Sequence, residues 1–265
     1  MDLGLKDKVV ALSGGGRKGG IGWATIRELK QAGAKVMMGD IEIDPAYEEL
    51  TKDGTVDTTA LDLSRPGNPE KLVQRTVDRF GKLDILINNL GVTIFRSGFL
   101  GVEDDDWDMI FRTNFLSNVR ASRAAMPHLI ENKGVIVNLA STLGTTPTPS
   151  LVDYSAFKAA TLNLTKCLSE EFNPQGVRVV AVSPGAVLTP HWTREGGAFD
   201  MMAAEQGVEV ETLRDEIIPK MFGMTTGRMV WPEEIAAAIC FAASQRAGSL
   251  SGMALTVDAG SVKTI

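Results

Sequence analysis

The chain has 265 residues, 44% hydrophobic and 23% charged, with 27 basic side chains against 33 acidic ones and a formal net charge of −6. That is the composition of a globular protein with material for a substantial core. An acidic balance without a basic block removes the electrostatic footing on which nucleic acids and anionic membranes are held, so neither is expected as a partner. Two cysteines, Cys167 and Cys240, and two histidines, His128 and His191, are too few for a disulfide scaffold or a structural zinc site. The thiols are expected free and buried, and no metal is expected. The opening MDLGLKDKVVAL has no basic stretch followed by an apolar one, unlike a signal peptide. No run approaches the roughly eighteen apolar residues of a membrane span. A cytoplasmic location is the expectation.

Along the chain, KVVALS (8–13) reads as a strand and IGWATIRELKQAG as a helix stopped by Gly33. KVMMGD (35–40) and TTALDL (58–63) are the next strands. PEKLVQRTVDRFG (69–81) is amphipathic, with Leu72, Val73, Thr76, Val77 and Phe80 on one face. LDILINN (83–89) is nearly all apolar, as expected of a strand covered on both faces. A long helix is predicted from Trp107 to Ile130, followed by the strand GVIVNLAS (134–141) and a helix over 154–172. The strand VRVVAVSPG (177–185), a helix over 232–244 and the strand ALTVDAG (254–260) close the pattern. Such alternation implies an α/β fold, a doubly wound (Rossmann-type) parallel sheet of about seven strands with helices on both faces. A single domain over 1–265 is expected. The segment at about 190–228 breaks the alternation and is expected to form a substrate lid.

ALSGGGRKGGIGWA (11–24) carries six glycines from Gly14 to Gly22. Set between a strand and a helix, the run reads as a turn that lets backbone approach a pyrophosphate resting on the helix N-terminus. Gly14, Gly20, Ile21 and Gly22 are the contacts expected. Asp40 ends the second strand, where a carboxylate binds adenosine ribose hydroxyls and repels a 2′-phosphate, so NAD(H) is favoured. Arg17 and Lys18 in the loop point the other way and leave NADP(H) open.

Tyr154 and Lys158, in YSAFK, are four apart and share a helix face, where an ammonium can lower the pKa of a phenol acting as acid and base. Together with the glycine loop, Asp62 in LDL, NNLG at 88–91, Asn114, Ser141 thirteen residues before Tyr154, and SPGAVLTP at 183–190, the pair resembles the short-chain dehydrogenase/reductase family over essentially the whole chain. The resemblance implies Tyr154 as general acid for ketone reduction and general base for alcohol oxidation. It implies that Ser141 hydrogen-bonds the substrate oxygen and that Lys158 binds the nicotinamide ribose and depresses the Tyr154 pKa. Asn114 would bend its helix and hold a water relaying protons from Lys158. Asp62 and Leu63 would lie by the adenine, Asn89 and Gly91 along the cofactor, and Thr189 with the Val187 backbone at the carboxamide. A dimer or tetramer built through the helices at 107–130 and 154–172 is also implied.

The chain departs from the family pattern in places. Its glycine loop is two residues longer when Gly14 is taken as the first glycine, with Arg17 and Lys18 in the insertion. That lengthening is similar to the enoyl-thioester reductase branch, but Tyr154-x-x-x-Lys158 is the narrower spacing of the other branch. Leu90 stands where the family has Ala, and Ala259 where it has Gly. Segments Val92–Phe99, Leu143–Val152 and His191–Met224 are expected to form the substrate pocket. They carry Phe95, Phe99, Leu143, Leu151, Trp192, Phe199, Met201, Met202, Met221, Phe222 and Met224, which suit a sizeable apolar secondary alcohol or ketone. His191 and Arg96 are further candidates for substrate contact. The alternatives are an NADPH-dependent 3-ketoacyl-thioester reductase and, more remotely, a non-catalytic dinucleotide sensor.

Overall fold

The structure, a computed structural model, describes residues 2–263. Seven strands form one parallel sheet in the order β3-β2-β1-β4-β5-β6-β7. They are β1 Val9–Ser13, β2 Lys35–Asp40, β3 Val56–Ala60, β4 Ile85–Asn88, β5 Val135–Leu139, β6 Arg178–Pro184 and β7 Ala254–Val257. The helices are α1 Ile21–Gln31, α2 Tyr47–Thr51, α3 Asn68–Phe80, α4 Asp104–Ile110, α5 Ser117–Asn132, α6 Val152–Phe172, four short lid helices and α11 Pro232–Ala243. Period-two side-chain alternation sorts the apolar residues of each strand onto two layers. Val10, Leu12, Ile85, Ile87, Val180 and Val182 meet α1 and α11 on one face. Ala11, Leu86, Ile136 and Val179 meet α3 and α5 on the other. Each large side chain so buried contributes about 1.5–3 kcal/mol.

The third strand starts and ends earlier than predicted, at Val56–Ala60, because Asp62 turns the chain away. Its Oδ1 accepts the Ser64 N–H at 3.0 Å and the Ser64 hydroxyl at 2.6 Å. The helix predicted from Trp107 begins at Asp104, behind a reciprocal cap between Glu103 and Asp106, and is interrupted by a π-turn over Phe111–Leu116. Helix α2 was not expected. Cys240 is buried as anticipated, but Cys167 is exposed on the outer face of α6. Among the described residues no helix is long and apolar enough to cross a membrane.

The segment at 190–228, expected as a lid, folds into α7 Pro190–Thr193, α8 Ala198–Gln206, α9 Val210–Thr212, a π-turn and α10 Ile218–Met221. It has a small core of its own, with Trp192, Phe199, Leu213, Ile218 and Met224 at its centre. Sheet order reverses between β1 and β4, so the loops leaving Ser13 and Asn88 part company and open a crevice at the carboxyl ends of the strands. In a doubly wound sheet that is where ligands bind.

Candidate active site

β1 ends at Ser13, so Gly14 is the first residue of the loop, as the longer-loop alignment requires. Gly14 has φ +73, and a Cβ there would lie 2.7 Å from the Leu90 Cα, so the β1 and β4 loops touch backbone to backbone. A Cβ on Gly22 would lie 2.4 Å from the Gly14 carbonyl oxygen, which draws α1 tight against the loop. The inserted Arg17 and Lys18 occupy a turn closed by the Gly20 N–H donating to the Arg17 carbonyl at 3.3 Å. The Arg17 guanidinium is 3.9 Å from the Glu42 carboxylate, and both side chains are mostly exposed.

Asp40 does something the sequence did not suggest. Its Oδ2 accepts the N–H groups of Gly15 and Gly16, each at 2.8 Å, and its Oδ1 accepts the Ile41 N–H at 2.7 Å. The Asp44 N–H donates to the Gly16 carbonyl and the Tyr47 hydroxyl to the Gly15 carbonyl, both at 2.7 Å. Burial, with the charges of Asp40 and Asp44, holds the Tyr47 phenol far above its ordinary pKa, so it is a fixed donor. The loop is thus clamped by the segment after β2. Asp62 also departs from expectation. It does not line the cavity described below, and its carboxylate is taken up by Ser64 and by Arg65, 3.2 Å away.

On β4, the Asn88 side chain donates to Asn138 Oδ1 at 2.8 Å and to Ser122 at 3.0 Å inside the core. Asn89 donates its side-chain amide to the Gly14 carbonyl and its N–H to Ser13 Oγ. Asn114 sits in the π-turn, fully buried. It accepts the Val92 N–H at 2.9 Å and donates to the Val92 carbonyl at 2.8 Å. Its own carbonyl receives the Asn118 amide at 3.0 Å. The next residue, Thr93, was not singled out from the sequence. A lone threonine after a strand carries no signal of its role.

Ser141 Oγ accepts the Leu143 N–H at 3.1 Å, which leaves its hydroxyl proton free to donate. The Tyr154 phenol is pushed up in pKa by burial and drawn back by the hydroxyls of Ser141 and Thr93 beside it. Lys158 Nζ lies 5.4 Å from the Tyr154 ring centre and donates to the Leu139 carbonyl at 2.6 Å. Burial lowers its pKa to about 8. Arg96, a candidate for substrate contact, is instead held by internal partners. Its guanidinium bonds Asp153 at 3.0 Å and Asp106 at 2.9 Å, pinning the loop after β4 to the start of α6.

Thr93, Ser141, Tyr154 and Lys158, but not Asn114 or Arg96, line one cavity of about 1840 Å³. Gly14, Arg17, Gly20, Ile21, Gly22, Asp40, Leu63, Asn89, Gly91, Val187 and Thr189 share it with Ser141, Tyr154 and Lys158. Phe95, Leu143, Leu151, Trp192, Met202, Met221 and Phe222 face it as anticipated. Phe99 and Met201 are exposed, while Phe199 and Met224 are buried in the lid core, so these four do not line it. The C-terminal residues Ser261–Lys263, which the sequence did not flag, also reach its wall. The residues present fit a dinucleotide. The N-terminal N–H groups of α1 have no side-chain cap, the glycines leave room for close approach, and the cavity runs from that helix end to Tyr154.

The profile of a family described as Enoyl-(Acyl carrier protein) reductase matches residues 14–262. The chain is 34% identical to 4-formylbenzenesulfonate dehydrogenase TsaC1/TsaC2 of Comamonas testosteroni, covering 97% of this chain and 99% of that one. It is 31% identical to meso-2,3-butanediol dehydrogenase of Serratia marcescens, covering 96% and 94%. A solved structure of L-sorbose reductase from Gluconobacter frateurii, complexed with NADPH and L-sorbose, superposes with a TM-score of 0.92 at 26% identity, covering all of both chains.

Proposed function

The chain belongs to the short-chain dehydrogenase/reductase family of NAD(P)-dependent oxidoreductases acting on CH–OH groups, and on that premise we propose that it interconverts a secondary alcohol and a ketone with Tyr154 as general acid and base. One observation carries the reading: the Tyr154 phenol, the Ser141 and Thr93 hydroxyls and the Lys158 ammonium share one wall of the cavity whose far end is the glycine loop.

When bound, a nicotinamide supplies or accepts the hydride; the chain manages position and protons. Gly14, Gly20, Ile21 and Gly22 present backbone to the pyrophosphate, with Asn89, Gly91, Val187 and Thr189 along the remaining length. Asp40 acts here as the anchor of the glycine loop and as a negative charge beside the ribose. Ser141 donates its free proton to the substrate oxygen, where charge develops during reduction. Tyr154 delivers a proton to that oxygen in reduction and removes it in oxidation. Thr93 sets a second hydroxyl beside the phenol. Lys158 retains two N–H donors beyond the Leu139 bond, for the ribose hydroxyls, and its charge favours the phenolate. Asn114 acts through Val92, keeping Thr93 in place. Exchanging Tyr154 for Phe removes the proton carrier and nothing else of size. Cofactor-coupled turnover should fall by about 10²- to 10⁴-fold with cofactor affinity retained. Undiminished turnover would refute the mechanism.

NAD(H) is the cofactor we propose, because Asp40, Glu42 and Asp44 crowd the adenosine end of the cavity and Arg17 already faces Glu42. The NADPH in the sorbose reductase structure belongs to that enzyme. The acidic SEEF at the end of α6 favours a free alcohol or ketone over a thioester on an acidic carrier, which would need a basic landing surface, while the Tyr-x-x-x-Lys spacing speaks only against an enoyl-thioester reductase. We further propose a homodimer or homotetramer built through α4–α6, where Trp107, Phe111, Phe115 and Phe157 form a half-exposed aromatic cluster. Static light scattering decides it.

A further inference from the structure

Charge along the cavity is segregated. Every carboxylate among its described lining residues, namely Asp40, Glu42 and Asp44, lies on the segment after β2 at the adenosine end. At the opposite end the lining charges are Arg194 and Lys263, with no carboxylate beside them among the described lining residues.

Three details sharpen this. Arg194 closes the short helix α7, three residues after His191, so the two side chains lie on one face of that turn. The Arg194 guanidinium makes no hydrogen bond and no ion pair among the described residues. Among the described residues, Lys263 Nζ donates to the carbonyls of Gly223, within the 190–228 segment, and Gly260. His191 Nε2 is buried without a hydrogen-bond partner, and its ring packs 6.1 Å from that of Phe95. Burial and the neighbouring Arg194 charge keep the imidazole neutral. A buried polar atom with no partner is costly unless a ligand completes it. Phe95 lies two residues beyond Thr93, and both line the same cavity as His191 and Arg194. Leu143, Trp192 and Phe222 add apolar wall to the same cavity, beside the hydroxyls of Thr146, Thr148 and Ser150.

We propose that the substrate is an apolar ketone or secondary alcohol bearing an anionic group, carboxylate or sulfonate in kind, which Arg194 pairs with while His191 Nε2 completes a hydrogen bond on the same side. The proposal rests on the oxidoreductase reading above and adds the substrate's charge to it. An anion at Arg194 could also belong to the cofactor, since Pro190 at the base of α7 approaches Gly19 of the glycine loop, and the experiment separates the two sources.

Initial rates are measured with 4-acetylbenzoate and with methyl 4-acetylbenzoate, two aryl ketones of similar size that differ by one charge. The enzymes are wild type, Arg194→Gln and Arg194→Lys, and cofactor affinity is read from the fluorescence of bound NADH. Wild type should favour the acid by about tenfold in kcat/KM, the size of one charge-assisted hydrogen bond. The ratio should collapse through KM in Arg194→Gln and partly recover in Arg194→Lys, with cofactor affinity unchanged. A preference for the ester, a ratio indifferent to Arg194→Gln, or a loss of NADH affinity in its place would overturn the proposal. Should wild type reduce neither ketone, the reaction reading fails and the subsite is read by binding. Tighter binding of the acid than the ester to the enzyme–NADH complex, lost in Arg194→Gln, still supports it; equal binding overturns it.

Discussion

Tyr154 and Lys158 are an ordinary pair by spacing, and burial makes them unusual. Water withdrawn from the phenol raises its pKa, and water withdrawn from the ammonium lowers that of Lys158 to about 8. The base in alcohol oxidation is the deprotonated phenol, so oxidation should rise with pH. Above about 8 the free enzyme's Lys158 loses the charge that assists ionisation, and the rise should flatten. Replacing Lys158 with Met removes the charge at every pH. The ascending limb of kcat/KM for oxidation should then move to higher pH by about one unit or more. An unmoved limb would show that Lys158 serves the ribose alone. Asp40 teaches a related lesson. Its position at the end of β2 was legible, but its carboxylate is committed to Gly15 and Gly16, partners that a sequence cannot assign across a gap of two dozen residues.

At the scale of elements, the π-turn over Phe111–Leu116 is the device that matters most. The pattern predicts one long helix from Trp107 and the resemblance implies a bend at Asn114; the interruption falls around that residue. What the turn achieves is to bury Asn114 against Val92, with both bonds of the reciprocal pair below 3.0 Å. Arg96, four residues further, is bound by Asp153 and Asp106. The three residues between these anchors carry Thr93 to the phenol and Phe95 to the lid. Asn114→Ala should strand the buried Val92 amide and carbonyl at a cost of about 1–3 kcal/mol. Thermal unfolding should occur several degrees lower, and kcat should fall more than KM rises because the effect reaches substrate only through Thr93. A stability loss without any fall in kcat would confine Asn114 to a structural part. The lid shows the opposite relation to its sequence. Its methionines and aromatics were legible as a group, but Phe199 and Met224 turned inward to a local core while Met202 and Met221 faced the cavity. Composition does not record that division.

For the whole molecule, one cavity holds Asp40, Glu42 and Asp44 together with Arg194 and Lys263, and the proposed cofactor and substrate sites divide these charges between them. A 2′-phosphate would meet Asp40, Glu42 and Asp44 together, with only Arg17 to offset them. NADH should therefore exceed NADPH in kcat/KM by about tenfold or more, and the margin should shrink as salt screens the carboxylates. A strong preference for NADPH would sink the proposed preference. Strand and helix alternation, the register of the glycine loop from Gly14, and the order Asn114, Ser141, Tyr154, Lys158 could all be read from the chain by itself, because period, turn chemistry and spacing are local properties. Tertiary structure decided the rest: that Asp40 clamps the loop, that Asp62 and Arg96 are spent on internal partners, that Thr93 comes beside the Tyr154 phenol, and that Arg194 and His191 line the same cavity. Each of these depends on which atoms from distant segments share a few ångströms with the water taken away, and local sequence does not carry that information.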